Sequence, residues 1–198
     1  MSRTRGGPAR RATPGVSGGR RWGLIVVVGA VVVVLGAFVA VVFMDVHERA
    51  GSTAPNGVTS FSNLSRAHTD KPVTYPQTPP VGGPHNPVWQ NCGFYSKPVR
   101  NENAVHSLEH GAVWITYRPD LPGGQVETLR NLAHRQTYIL VSPYPGLPSP
   151  VVASAWGKQL KLDSANDPRL EQFVSTYRQG PQTPEPGAAC SGGVGSPQ

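Results

Sequence analysis

The stretch AVHSLEHGAVWITY, residues 104–117, contains both a predicted helix end and a predicted strand. Its first half continues a helix that we expect to begin with Asn101 as the N-cap and to run to His110. Gly111 is typical of the residue after a helix C-terminus, because glycine adopts positive φ without steric cost. Apolar side chains alternate over residues 112–118, which predicts a strand.

The rest of the C-terminal half shows similar signals. Residues 150–162 are either one strand or two strands bent at Gly157. Periodicity and capping signals predict a helix at 124–135, a strand at 137–144 and a helix that starts at Pro168 after the N-cap Asp167. These elements predict one α+β domain with a short sheet and about two to three helices.

An apolar run at residues 23–44 carries no charged side chain. As a helix it would rise roughly 33 Å, enough for a hydrocarbon core of about 30 Å, so the sequence predicts a transmembrane helix. The alternative is a cleaved signal peptide, but the run exceeds the usual apolar length of about 7–15 residues. Gly36 and Ala40 form a small-residue pair on which a homodimer through this helix would depend.

The charge distribution around this run predicts an orientation. The preceding tail has no acidic residue and holds six of the 18 basic residues: Arg3, Arg5, Arg10, Arg11, Arg20 and Arg21. Basic flanks stay cytoplasmic, so we expect a single-pass protein in the cell membrane with its C-terminal domain outside the cytoplasm. The remaining 12 basic residues nearly balance the 11 acidic ones, which gives no support for nucleic-acid binding. The expected partners are the lipid bilayer and a cell-envelope protein.

Composition predicts the remaining boundaries. We expect a disordered basic tail, a linker after the apolar run, one α+β domain and a Pro/Gly-rich C-terminal tail. In order, the predicted segments are 1–21, 23–44, 45–70, 71–180 and 181–198.

Both cysteines, Cys92 and Cys190, lie on the side of the apolar run that we expect to be exported. Thiols in an oxidising compartment tend to pair, so we predict a disulfide between them. The alternative is that Cys92 is a free thiol or a soft metal ligand near His85 and His106.

His106, Glu109 and His110 share one arc of about 100° if residues 101–110 are helical. Two imidazoles one turn apart can bind one metal ion beside a carboxylate. The spacing H-x-x-E-H also occurs in inverted zincins, but Gly111 ends this helix too early for that peptidase architecture. His85, in a Pro-rich loop, is the natural third ligand.

Histidine with carboxylate suits Zn, Cu, Ni or non-haem Fe without selecting one, Zn or Cu being the expected metal, and Asp120 or a water would complete the shell. A structural role stays open, in which His110 interacts with the helix C-terminus, His106 packs and Glu109 bonds a backbone amide. No role is assigned to the other histidines, His47, His68 and His134.

Several motifs together resemble a bacterial family of single-pass exported proteins, domain of unknown function 3105. They are YPQTPPVGGPHNPVW (75–89), VHSLEHGAVWITYRPDL (105–121) and SPVVASAWG (149–157), followed by a C-terminal helix. The resemblance covers roughly residues 70–178 and implies membrane anchoring and a single small domain. It implies no activity, and the histidines and glutamate named above match only as motif positions.

The sequence therefore favours an extracytoplasmic binding module with a His/Glu metal site formed by His85, His106, Glu109 and His110. A small metal-dependent enzyme with Glu109 as the base is the second hypothesis. A purely structural or assembly module is the third.

Overall fold

The computed structural model describes residues 19–50 and 54–198. The chain divides into two units, Met1–Ala50 and Gly51–Gln198. The first contains one helix, α1 (Gly19–Ala50). The second contains a six-stranded sheet and the helices α2 (Asn101–Glu109), α3 (Gly123–Arg135) and α4 (Pro168–Tyr177). The predicted α+β class therefore holds, with a wider sheet than expected.

The predicted transmembrane helix at residues 23–44 requires a correction. Across residues 19–50 and 54–198, no helix is both long enough and apolar enough to cross a bilayer. Residues 1–18 of the tail predicted to be disordered lie outside the described residues.

The six strands form one mixed sheet. Their order is β1 (Thr59–Ser60), β6 (Lys158–Leu162), β5 (Val151–Ala155), β3 (Val113–Tyr117), β4 (Ile139–Pro143) and β2 (Gly93–Phe94). β3 lies parallel to β4 and antiparallel to β5. The parallel pair needs a crossover connection, which α3 provides. β1 pairs with β6, so this part of the segment predicted as a linker belongs to the sheet.

Helices cover both faces of the sheet. Successive side chains of β3 point to opposite faces, so Val113, Ile115 and Tyr117 enter one core, where α3 and α4 pack. Trp114 enters a second core, where it packs with Val105, Leu108 and other apolar side chains. All of β3 is consequently buried, and α2 lies on the opposite face from α3 and α4.

The end of α2 follows the predicted glycine signal. Gly111 has φ +99°, its amide donates to the carbonyl of Leu108, and the amide of Ala112 donates to the carbonyl of Ser107. These two bonds form a Schellman motif. The predicted start is corrected by one residue: Asn101 is the first helical residue, and the N-cap is Arg100, whose side chain makes no capping bond.

The C-terminal elements also agree with the sequence prediction. Residues 150–162 form two strands, β5 and β6, with Gly157 between them at φ +67°. A Cβ at this position would lie 2.8 Å from the carbonyl oxygen of Phe61, so glycine is required. Asp167 caps α4 by accepting from the amide of Arg169, and Pro168 is the first helical residue.

Candidate metal centre

Three imidazoles and one carboxylate converge beside α2. They belong to His68, His85, His106 and Glu109, and one ligand atom from each lies within 4.8 Å of all the others. Three of the four were predicted as ligands from the sequence. The convergence of residues up to 41 positions apart requires tertiary structure, because His68 and His85 precede the helix that carries the other two.

Helix α2 sets the positions of His106 and Glu109. Residues three apart on a helix lie on the same face, so both side chains point the same way. Both are buried, and the Schellman motif at Gly111 ends the helix just beyond them.

His85 reaches the cluster from the Pro-rich loop, where a backbone bridge holds it. Its amide donates to the carbonyl of Ala67 over 3.0 Å, and the amide of Thr69 donates to its carbonyl over 2.7 Å. The same bridge places His68 beside His85, with ring centroids 4.9 Å apart. The His68 side chain is 51% exposed and stacks on the ring of His106, with centroids 5.0 Å apart.

Sequence reasoning missed His68. It lies in a polar stretch without periodicity, and its neighbours in the cluster are distant in the chain. The pairing of residues 67–69 with His85 creates the site, and no local pattern in the sequence indicates that pairing.

The buried imidazoles are oriented through Nδ1. His85 Nδ1 lies 2.7 Å from the carbonyl oxygen of Gly83, and His106 Nδ1 lies 2.6 Å from that of Asn86. A carbonyl only accepts, so each Nδ1 carries the proton and donates it. Each Nε2 is then left as the potential ligand atom, which is the usual arrangement around metal-binding histidines.

The Nε2 of His85 also lies 2.8 Å from Oε2 of Glu109. With the Nδ1 proton already donated to Gly83, a neutral imidazole has only a lone pair to offer at Nε2. A lone pair and a carboxylate oxygen at this distance repel each other, so a cation bound to both atoms would stabilise the contact. The contact therefore marks the centre of the candidate site.

Glu109 is ionised in this setting. Its side chain is 2% exposed, and its Oε1 accepts a hydrogen bond of 2.7 Å from Nε of Arg66. Burial raises the pKa of the carboxyl, but the hydrogen bond from Arg66 and the electrostatic influence of His85 outweigh that effect. The pKa of Glu109 consequently lies below its ordinary value.

The buried His106 is kept neutral. Burial lowers the pKa of its imidazole, and the neighbouring histidines act in the same direction. The hydrogen bond to the carbonyl of Asn86 opposes them without reversing the shift. A neutral imidazole is the form that binds a metal ion.

His110 does not join the four converging residues. It is the C-cap of α2, where its Nδ1 lies 2.6 Å from the carbonyl oxygen of Ala189 and its Nε2 lies 3.9 Å from Oε2 of Glu185. Its ring still contacts that of His106, with centroids 4.5 Å apart. Asp120 lies in the turn after β3 and is not one of the grouped ligands.

The predicted disulfide between Cys92 and Cys190 is confirmed, with Cα atoms 5.4 Å apart. Cys92 is therefore not a thiol ligand. The bond fastens the C-terminal segment beside β2, where the amide of Cys92 donates to the carbonyl of Cys190 and the amide of Asn91 to that of Val194. This segment supplies the carbonyl of Ala189 that orients His110.

Comparisons with known proteins add a family and no function. No curated protein matches the chain, and no solved structure matches it. A family model described as "Protein of unknown function (DUF3105)" matches residues 67–192, which include the four converging side chains and both cysteines. Because the match covers more than half of the sequence, the chain belongs to this family.

Proposed function

We propose that this domain binds one divalent transition-metal ion through Nε2 of His68, His85 and His106 and a carboxylate oxygen of Glu109. The observation that carries the proposal is the convergence of these ligand atoms within 4.8 Å. Imidazole and carboxylate together suit Zn²⁺ and Cu²⁺.

The dimensions of the cluster are compatible with one ion after a small contraction. Ligand atoms at about 2.0–2.1 Å from a tetrahedral ion lie roughly 3.4 Å apart. The largest separation in the cluster exceeds this by about 1.4 Å. His68 can move towards the other ligands, because among residues 19–50 and 54–198 its half-exposed side chain makes no hydrogen bond to a carbonyl of the kind that holds His85 and His106.

The charges also support a cation site. Glu109 supplies one negative charge, and the hydrogen bond from Arg66 engages only one of its two carboxylate oxygens, Oε1. Oε2 faces His85 and, at 3.8 Å, Nε2 of His68. Metal binding would require a charged Glu109 and neutral imidazoles, so it would weaken as the pH falls.

The same contacts favour binding over catalysis by Glu109. A general base needs an oxygen within reach of the proton that it abstracts. In Glu109 one oxygen is bonded to Arg66 and the other to His85, and the side chain is buried. We therefore propose a ligand role for this carboxylate rather than a catalytic one.

We also propose that the sheet-containing unit works in an oxidising compartment. The support is the disulfide between Cys92 and Cys190, a bond that persists mainly outside the reducing cytoplasm.

Metal content of the full chain tests the binding proposal. The protein would be purified without chelator, dialysed against Zn²⁺ or Cu²⁺ alone and analysed by mass spectrometry, as wild type, His85→Ala and His106→Ala. His134→Ala is the matched control, because His134 is exposed on α3. We expect the wild type and the control to bind at the cluster, and each cluster variant to lose one ion per chain. A folded wild type that binds neither metal would leave only a structural role.

A further inference from the structure

The imidazole of His110 is buried and oriented, yet the four-residue cluster does not include it. Its side chain is 5% exposed, and its Nδ1 donates to the carbonyl of Ala189. The lone pair of Nε2 is therefore left facing Oε2 of Glu185 at 3.9 Å. That distance is too long for a hydrogen bond, so His110 Nε2 and Glu185 Oε2 are not bonded to each other.

Glu185 is positioned by Glu109 of the cluster and by Arg66. Its amide donates to the carbonyl of Glu109 over 3.0 Å, and its Oε1 accepts from Nη2 of Arg66 over 2.9 Å. Arg66 thus binds Oε1 of both glutamates, while Oε2 of Glu109 faces His85 and Oε2 of Glu185 faces His110. One guanidinium therefore connects the two carboxylates.

We propose that His110 and Glu185 hold a second divalent transition-metal ion beside the first. Two ligand atoms at about 2.0–2.2 Å from a tetrahedral ion lie roughly 3.4 Å apart, so the 3.9 Å between Nε2 and Oε2 would shorten by about 0.5 Å, which the half-exposed Glu185 side chain permits. The Glu185 side chain is 48% exposed, so water completes the coordination shell. The proposal rests on the proposed function in that it takes the cluster of four to hold the first ion.

The second ion binds more weakly than the first. It has two protein ligands instead of four, and it lies near another divalent cation and the guanidinium of Arg66, which repel it. The contact between the rings of His106 and His110 makes the two sites neighbours.

Equilibrium dialysis of the full chain at increasing free Zn²⁺ separates the two sites. We expect bound zinc in the wild type to rise in two steps, to one and then to two ions per chain. Glu185→Gln and His110→Ala should keep the first step and lose the second, whereas His85→Ala should lose the first. The glutamine keeps an oxygen for Arg66, so this variant stays folded even if His110→Ala does not.

The possible outcomes distinguish this inference from the proposed function. A wild type that saturates at one ion, or a Glu185→Gln variant that still binds two, overturns the second site and leaves the first intact. A wild type that binds no zinc overturns both. Thermal unfolding of each metal-free variant shows that lost binding is not lost folding.

Discussion

The Nε of Arg66 donates to Oε1 of Glu109 over 2.7 Å, and so joins a half-exposed guanidinium to a buried carboxylate. Arg66 comes from the stretch that precedes the predicted domain, whereas Glu109 lies at the end of α2. This bond and the bridge between His68 and His85 fasten that stretch to the site.

Arg66→Ala should destabilise the metal-free protein, because it leaves the charge of Glu109 buried without its closest partner. Arg66→Lys should fall between the alanine variant and the wild type, since lysine keeps the charge and loses the planar donor geometry. Melting temperatures test this order, with Arg135→Ala on the surface of α3 as the control. Equal melting temperatures for the wild type and Arg66→Ala would contradict it.

His68→Ala should weaken the first metal site by at least about tenfold, because it removes a ligand. The metal-free protein should keep its stability to within about 0.5 kcal/mol, since the side chain is half exposed. Titration with Zn²⁺ and urea unfolding of the metal-free variant measure the two effects. Unchanged affinity would show that only the two buried histidines and Glu109 act as ligands.

Replacing Cys92 and Cys190 together with serine should cost about 4 kcal/mol of unfolding free energy. The disulfide closes a loop with a sequence separation of 98. Without it the unfolded chain has more conformational entropy, which favours unfolding. Urea unfolding of wild type and variant gives the difference. Maleimide labelling of the denatured, unreduced wild type should modify neither thiol; labelling of both would exclude the disulfide.

Stability should fall as the pH falls below about 4.5, in part because of Glu102. Burial raises the pKa of this carboxyl. Hydrogen bonds from the amide of Val73 and from Arg100 lower the pKa by more than burial raises it, so the folded pKa lies below the ordinary 4.5. The charged form is favoured in the folded state. Its contribution is therefore complete above the unfolded pKa and lost as the pH falls through the folded one.

Glu102→Gln should accordingly flatten the decline of the melting temperature between about pH 6 and about pH 3. Glu127→Gln, at an exposed position of α3, is the control and should leave the decline as it is in the wild type. Parallel curves for Glu102→Gln and the wild type would assign the acid sensitivity to other groups.

Gly111→Ala should destabilise the fold by about 1–3 kcal/mol, because φ is +99° and the new Cβ would lie 3.1 Å from Cα of Gln179. Gly124→Ala is the matched control, since it lies in the first turn of α3 with no atom within 4 Å of its Cβ. That substitution should be neutral or stabilise by up to about 1 kcal/mol. Urea unfolding compares the two variants, and equal effects would show that the positive φ of Gly111 does not contribute to stability.

Local signals predicted much of the fold. The glycine after α2, the alternation in β3 and the Asp-Pro start of α4 each depend on neighbouring residues, which a sequence displays directly. The strands β1 and β2 escaped prediction because they are two residues long and exist only through pairing with β6 and β4.

The site was predictable only in part. His106 and Glu109 share a helical face, which spacing reveals, and His85 followed from its rigid loop. His110 was included because an ideal helix would place it on the same arc, but it is the C-cap and bonds the C-terminal segment instead. His68 and Arg66 reach the cluster through long-range contacts, which no local pattern encodes.

The carbonyl bonds at Nδ1 of His85 and His106 have a consequence for biogenesis. Because carbonyl groups of the chain itself hold these two imidazoles, we expect both rings to be oriented before any ion binds, in contrast to zinc fingers, which fold only around their metal. Cells starved of zinc and copper should thus still accumulate a mature, protease-resistant chain, ready to capture the first ion that reaches it.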